Sequence, residues 1–315
     1  MEWRLQYLCF HMNAYTKYIR YTWFVLGMVF LVILAGGLVR MTQSGMGCPD
    51  WPKCFGRWIP PVNESQLPPD FEKYLDRQDI DHSFNPYHTW IEYINRLLGA
   101  LLGMFILVHA IWSFKSFRHT KPSVAIISFF MLAAVAFQGW LGKMVVDANL
   151  HVVKVTVHMI VAMLITLFPL FIISRIIPEK IPAGKSIKLL TGIAIFAVLI
   201  QIVLGTQVRE QIDQISKSLS YSQRDLWIES LDKIFIIHRS FSWVVALSVF
   251  VLLWQSQMCP GLKKHRLLVL SFFLLTAIAG LIMYFINIPA FAQPLHLLFA
   301  ALLFTALFSF MLKLR

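Results

Sequence analysis

The sequence predicts an all-α integral membrane protein: eight transmembrane helices in two pseudo-symmetric four-helix bundles, with both termini cytoplasmic. Three observations predict it. Of 315 residues, 58% are hydrophobic and 14% charged, whereas a soluble domain carries about 25% charged residues. Apolar runs near the ~20 residues that a helix needs to cross ~30 Å of hydrocarbon recur along the chain. Landmarks of the first half return in the same order in the second.

Residues 1–20 are mixed, with Arg4, Lys17 and Arg20. Apolar runs then cover roughly 21–39, 93–114, 123–146, 152–174, 187–206, 234–254, 267–286 and 291–312. Only helices and closed barrels satisfy the backbone in lipid, and these runs are too long for barrel strands. The first run has no small-residue cleavage site and continues into a full span, so no cleavable signal is expected. Nor is the N-terminus a long Ser- and Arg-rich transit segment, and a bacterial inner membrane is the expected location.

The net charge of +12 could suggest nucleic acid. The basic residues, however, sit in short loops between spans, where membrane topology places them, and no nucleic-acid partner is expected. Lys115, Arg118 and Lys121, then Arg175, Lys180, Lys185 and Lys188, then Lys263, Lys264 and Arg266, mark the cytoplasmic loops, with Lys313 and Arg315 in the tail. Segments 40–92 and 207–233, where acids match or outnumber bases, lie outside.

The repeat is read from matched landmarks. Gly36-Gly37-Leu38-Val39-Arg40 ends the first span and Gly205-Thr206-Gln207-Val208-Arg209 the fifth; Asn95-Arg96 opens the second and His238-Arg239 the sixth; Gly142 precedes His158, and Gly280 precedes His296, by 16 residues each. A repeat of this kind implies duplicated units, here 1–180 and 181–315. With four spans per unit, the symmetry axis should run along the membrane normal.

His158, His238 and His296 all fall in the outer leaflet, near the starts of their spans. Two imidazoles on facing helices of a bundle can clamp a haem iron, which makes His238 and His296 one candidate ligand pair. The bland alternative is that each ring bonds a neighbouring carbonyl. In the first half Asn95, a poor iron ligand, stands opposite His158. Glu92 lies one turn earlier on the same face; its counterpart is Phe235. Glu92 could be solvated or pair with Arg96, or be an acid beside a cofactor whose second face is open, as oxygen activation requires. Arg40, Arg96, Arg209 and Arg239 at the outer ends could hold haem propionates or reach lipid phosphates. Solvated roles are expected for His11, His109, His119 and His265 at the cytoplasmic ends and for His82 in the loop, while His88 and His151 stay open. Cys48 and Cys54 face an oxidising compartment, so a disulfide is expected, structural or redox-active; a zinc site would need two further ligands. Cys9 and Cys259 are expected to be inert thiols. Segment 55–89, rich in proline, reads as an outer loop with one short helix, and 210–233, with Trp227, as an interfacial helix.

The run Gly-Gly-Leu-Val-Arg-Met-Thr-Gln-Ser-Gly-Met-Gly-Cys-Pro-Asp-Trp-Pro-Lys-Cys at 36–54, followed by Glu-Tyr-Ile-Asn-Arg at 92–96, resembles the haem A synthase family over nearly the whole chain. The resemblance implies oxidation of the haem O methyl group to the formyl group of haem A, by successive hydroxylations with dioxygen, for haem–copper oxidase assembly. It implies a haem b between His238 and His296 and a substrate haem at His158, with Glu92 as the essential acid and Cys48 and Cys54 as the loop pair. The family carries a second histidine where this chain has Asn95, and some members carry a cysteine pair in the second-half loop that this chain lacks. Either Asn95 orients oxygen or water on the open face, or His88 takes over as ligand. The bilayer is the first partner; haem O synthase, oxidase assembly factors, an electron donor of unidentified kind and a homo-oligomer are compatible with it. The competing readings are a non-catalytic membrane cytochrome and a haem carrier.

Overall fold

The computed structural model describes residues 2–75 and 83–315, with side chains from Tyr15 to Tyr74 and from Ser83 onward. His82 lies outside the described residues, as do the side chains of Cys9 and His11. Helices follow in the order α1 (Glu2–Met41), α2 (Glu72–Leu75), α3 (Pro86–Phe117), α4 (Pro122–Asp147), α5 (Val152–Ile165), α6 (Leu167–Ile176), α7 (Lys185–Ser218), α8 (Arg224–Glu229), α9 (Lys233–Gln255), α10 (Lys263–Phe285) and α11 (Ala292–Lys313). Eight helical segments are long and apolar enough to cross a membrane, counting α5 and α6 together, so the expected eight spans are borne out. Among the described residues there is no β-strand, only isolated bridges.

Four spans differ from the sequence reading: α1 is helical from Glu2 and α3 from Pro86, well before the runs at 21 and 93 begin, and the fourth and fifth spans differ as well. The fourth is interrupted at Thr166, between α5 and α6. Pro169 has no amide to offer the Ile165 carbonyl four residues back, and the Thr166 hydroxyl and amide both turn to the Met163 carbonyl, at 2.7 and 3.2 Å. The fifth does not end near residue 206: α7 continues through the charged stretch to Ser218. Val208, Ile212 and Ser216 recur every four residues on its buried face, and Val208 and Ile212 pack with Trp227 of α8 and Ile288. This short cap covers one end of the α7–α11 helices. Segment 207–233 is therefore mostly helix, with α8 as the separate short helix. Among the described residues of segment 55–89, ahead of the start of α3, there is one short α-helix, α2, and a single 3-10 turn at Glu64–Gln66.

The helices close into two rings. α3 packs on α1 and α4, α4 on α5 and α6, and α6 returns to α1; α7 packs on α9, α9 on α10, α10 on α11, and α11 returns to α7. In each ring the second and fourth spans are therefore diagonal partners: α3 with α5, and α9 with α11. The rings meet through α1 against α11 and α5 against α7. One continuous apolar core runs through both, including Val25, Val29, Ile106, Met131, Met163, Val198, Leu252 and Phe304. Many large apolar side chains are exposed on the outer surfaces of the helices, among them Phe129, Phe196, Trp243 and Phe250. Lipid is the solvent such a surface needs.

Two histidines correct the sequence reading. His109 is fully buried, not solvated. Its Nε2 lies 3.0 Å from the Thr22 hydroxyl and its Nδ1 3.5 Å from the Tyr18 hydroxyl. Tyr18 also meets Ser128 at 3.2 Å, so the cluster ties α1, α3 and α4 together. His265 is partly buried against Phe310, with its Nδ1 buried and lacking a partner.

Candidate functional site

The site begins with a loop that only glycine permits. A Cβ on Gly47 would stand 2.4 Å from the His88 carbonyl carbon and oxygen, which backbone cannot accommodate. The Gly47 carbonyl accepts the Thr89 hydroxyl at 2.9 Å. This close approach sets the next residue, Cys48, whose amide donates to Glu92 Oε2 at 2.7 Å. The start of α3 is itself fixed by Pro86 in its first turn and by Asn85, whose side chain accepts the Tyr87 and His88 amides.

Glu92 is buried, and its Oε1 accepts the Arg96 guanidinium. Arg96 also donates to the main-chain oxygens of Cys48 at 2.6 Å, Asp50 at 2.5 Å and Lys53 at 3.2 Å. The Glu92–Arg96 pair is thus the post on which the loop is hung. Cys48 and Cys54 form a disulfide that closes this loop, and both are fully buried against Phe55, Leu67, Tyr74, Phe84 and Tyr93. Asp50 accepts the Phe55 and Gly56 amides inside it, at 2.6 and 2.9 Å.

The half-buried rings of His158, His238 and His296 each lie against a glycine of a neighbouring helix. A Cβ on Gly142 would meet His158 Cε1 at 3.6 Å, one on Gly205 would meet His238 Cε1 at 3.3 Å, and one on Gly280 would meet His296 Cε1 at 3.2 Å. The residue four positions before each glycine holds the same histidine. Gln138 donates to the His158 carbonyl at 2.9 Å and Gln201 to the His238 carbonyl at 3.0 Å, while the Thr276 carbonyl lies 2.9 Å from His296 Nδ1. A carbonyl can only accept, so Nδ1 of His296 carries the proton and Nε2 keeps its lone pair. Sequence reasoning noted the glycines as landmarks but not as seats for the rings, and it missed the two glutamines; their constant spacing from the glycines was the available signal.

His238 and His296 come from the diagonal pair α9 and α11. Nδ1 of His238 is buried without a hydrogen-bond partner. His158 likewise has an unpartnered buried Nδ1, and on the diagonal helix Asn95 has an unpartnered buried Oδ1. A Cβ on Gly36 would meet nothing within 4 Å. A haem iron fits the His238/His296 set: the rings are seated on residues without side chains, His296 offers a free lone pair, and a metal supplies the partner a buried imidazole needs.

The arginines have protein partners. Arg40 pairs with Asp213 at 2.9 Å and Glu210 at 3.4 Å, and Arg209 pairs with Asp213 at 2.7 Å. Arg209 also donates to the Arg40 carbonyl at 2.8 Å and to Gln293. Asp213 thereby joins α1 to α7, a role sequence reasoning missed because it ended the fifth span near residue 206 and read this stretch as a separate interfacial helix. Arg239 lies 5.9 Å from the Phe235 ring and 5.7 Å from the Tyr284 ring. His88 lines a cavity of about 240 Å³ with Met41, Arg209, Tyr221, Arg224 and Gln293, among others; neither Asn95 nor His158 lines it. His151 caps α5, its Nδ1 accepting the Val153 amide at 3.4 Å. Cys259 is a free, partly buried thiol.

The family model described as cytochrome oxidase assembly protein, COX15-CtaA, matches residues 19–308. The chain is similar to the Heme A synthase of Shewanella oneidensis, 29% identical over 179 residues, which is 56% of this chain and 52% of that protein. It is also 29% identical over 194 residues to the Heme A synthase of Bartonella tribocorum, covering 56% of this chain and 53% of that one. The match thus spans about half the length of these two relatives. A longer match, to the Heme A synthase of Brucella suis, is 25% identical over 310 residues, covering 88% of this chain and 86% of the relative. An all-helical membrane chain whose matched stretch runs from α1 into α11 leaves little of the molecule outside the likeness: this protein belongs to the COX15-CtaA family of cytochrome oxidase assembly proteins.

Proposed function

We propose that the protein is a haem A synthase of the bacterial inner membrane, which oxidises the methyl group of haem O to the formyl group of haem A. The observation that carries this reading is an asymmetry on a shared plan. One ring of helices presents two histidines from diagonal helices, each seated on a glycine; the other presents one such histidine, with Asn95 on the diagonal helix. A pure electron carrier has little use for a site with one ligand removed.

Each hydroxylation inserts one oxygen atom of dioxygen into a C–H bond. The second oxygen atom leaves as water, with two protons and two electrons from a donor of unidentified kind. Two hydroxylations give the gem-diol, which loses water to the aldehyde. His158 would hold the iron of the substrate haem. Asn95, shorter than histidine and with its carbonyl oxygen unpartnered, would leave room for dioxygen or water and offer it a hydrogen-bond acceptor. Glu92, three residues before Asn95 and so on the same face of α3, places a carboxylate beside this region, where it holds a proton or opposes developing positive charge. Its bonds to Cys48 and Arg96 keep the disulfide loop seated over the helix end and exclude bulk water. His238 and His296 would hold a haem b, which supplies one-electron transfer when bound.

The same reading takes the chain as two related units, 1–180 and 181–315, with termini in the cytoplasm and the disulfide loop outside. The pairing of α1, α3, α4 and α5–α6 with α7, α9, α10 and α11 supports the duplication; the lysines and arginines of the short loops support the orientation.

The test is pigment analysis of cells that make haem O but no haem A, with and without this protein. Haem A is expected with the wild type and with His88→Ala, and not with His158→Ala. Absence of haem A with the wild type refutes the enzyme reading, and its loss with His88→Ala refutes Asn95 as the sole replacement for the missing ligand.

A further inference from the structure

We propose that the segment Trp58–Val62 of the disulfide loop is an interfacial anchor, seated in the lipid headgroup layer beside α3. Trp58, Ile59 and Val62 are 66%, 69% and 51% exposed, an apolar patch that water would not favour. Where the segment is tied down shows what covers it. The Tyr93 hydroxyl donates to the Trp58 carbonyl at 2.7 Å, and the Trp90 indole donates to the Pro61 carbonyl at 3.3 Å. On a helix, Trp90 and Tyr93 share a face with Leu97, Met104 and Val108. That face is the outward one: Leu97, Met104 and Val108 are 49%, 57% and 51% exposed. The segment therefore rests on the lipid-facing stripe of α3, not over the interior of the bundle.

Its depth follows from the same bonds. Tyr93 precedes Leu97 by one turn, about 6 Å along the axis, so the segment sits at the edge of the hydrocarbon. Trp and Tyr concentrate at that level in membrane proteins. Lys53, whose Nζ lies 5.9 Å from the Trp58 ring, adds a cation where anionic lipid phosphates stand. The exposed patch is continuous with the membrane-facing surface, and the leaflet on the disulfide side is its partner. The consequence reaches the site, because the loop anchored at Trp58 also supplies the Cys48 amide to Glu92. The inference depends on the chain spanning a membrane and not on the reaction proposed for it.

The test uses the full chain in nanodiscs of phosphatidylethanolamine and phosphatidylglycerol, with Cys9→Ser and Cys259→Ser and the disulfide intact. A bimane probe is placed at Ile59→Cys, with Val62→Cys as a second position should the first misfold. Ser65→Cys serves as the water-facing reference and Met104→Cys as the lipid-facing one. Doxyl lipid labelled near the headgroup should quench the probes at 59 and 62 at least threefold more than the probe at 65, and aqueous iodide should show the reverse order. A probe at 59 and 62 that follows Ser65 overturns the proposal, because the loop then stands in water. Shielding from both quenchers also overturns it, because protein then covers the patch.

Discussion

Gly280→Ala should loosen haem b in a way that Gly36→Ala does not. The new Cβ at 280 would lie 3.2 Å from His296 Cε1, so the ring must retreat by about 0.2 Å or more to regain ordinary contact. It cannot retreat freely, since its Nδ1 is tied to the Thr276 carbonyl at 2.9 Å. Overpacking of this kind costs about 1–3 kcal/mol, and the strained hydrogen bond up to ~1 kcal/mol more. Against this, alanine gains about 0.8–1.0 kcal/mol of helix propensity over glycine. The net loss of about 0–3 kcal/mol, with a midpoint of ~1.5 kcal/mol and concentrated on the proposed iron ligand, corresponds to roughly tenfold weaker haem retention. At Gly36 nothing lies within 4 Å, so only the propensity gain remains. The assay is haem per protein by pyridine haemochromogen after purification and dilution, with the bis-imidazole visible spectrum as a second readout. Equal retention by the two variants would refute the assignment of Gly280 as the seat of a ligand.

Four further outcomes are expected. Gly47→Ala should lift the loop from α3 and remove the Cys48 bond to buried Glu92, a charge-assisted bond worth about 1.5–3 kcal/mol; thermal unfolding in detergent and haem A yield should both fall. His109→Ala should lower stability by about 2–4 kcal/mol through a buried cavity and the loss of the ring's contacts with the Thr22 and Tyr18 hydroxyls, against near-neutrality for exposed His119→Ala, both measured by thermal unfolding in detergent. Asp213→Ala should leave two guanidiniums facing each other across the α1–α7 contact, and crosslinking between cysteines placed on these helices should slow. The Asp232 carboxyl is held below the usual carboxylate range, first by Gln211 and then by the Ile234 amide it caps; because its folded value is the lower one, its contribution is present at neutral pH and lost as pH falls through that value, and hydrogen exchange at the start of α9 should rise there in the wild type but not change further in Asp232→Ala.

The eight spans were legible because a run of apolar residues long enough to cross a bilayer has few other uses. What misled the reading was polarity inside such runs. His109 lies eight residues from the end of α3 and was taken for a solvated end, but its partners Tyr18 and Thr22 come from α1, with Ser128 of α4 behind Tyr18, and could not be seen along the chain. The α7 extension was read as an interfacial helix separate from the fifth span because Arg209, Glu210, Asp213 and Lys217 fall within it; its buried face of Val208, Ile212 and Ser216 continued the span at helical spacing all along. Glu92 and Arg96 were legible as a pair at four-residue spacing. That the same pair holds Cys48, 44 residues away, depends on Gly47 meeting the α3 backbone, which no spacing encodes.

The glycines also say how the two halves diverged, if the duplication holds. Three helices carry a glycine under a histidine ring, and the residue four positions earlier supports that histidine: Gln138, Gln201 and Thr276. The fourth helix, α1, keeps Gly36 but carries Val32 four positions before it, and the partner across from Gly36 in the repeat is Asn95. An apolar side chain at 32 offers no hydrogen bond to hold an imidazole-bearing turn of α3. Restoring histidine with Asn95→His alone should therefore give a ring with a seat but no support, and Val32→Gln with Asn95→His should bind a second haem more tightly than Asn95→His by itself. Equal haem content in the single and double variants would show that the support is not what the glutamines provide.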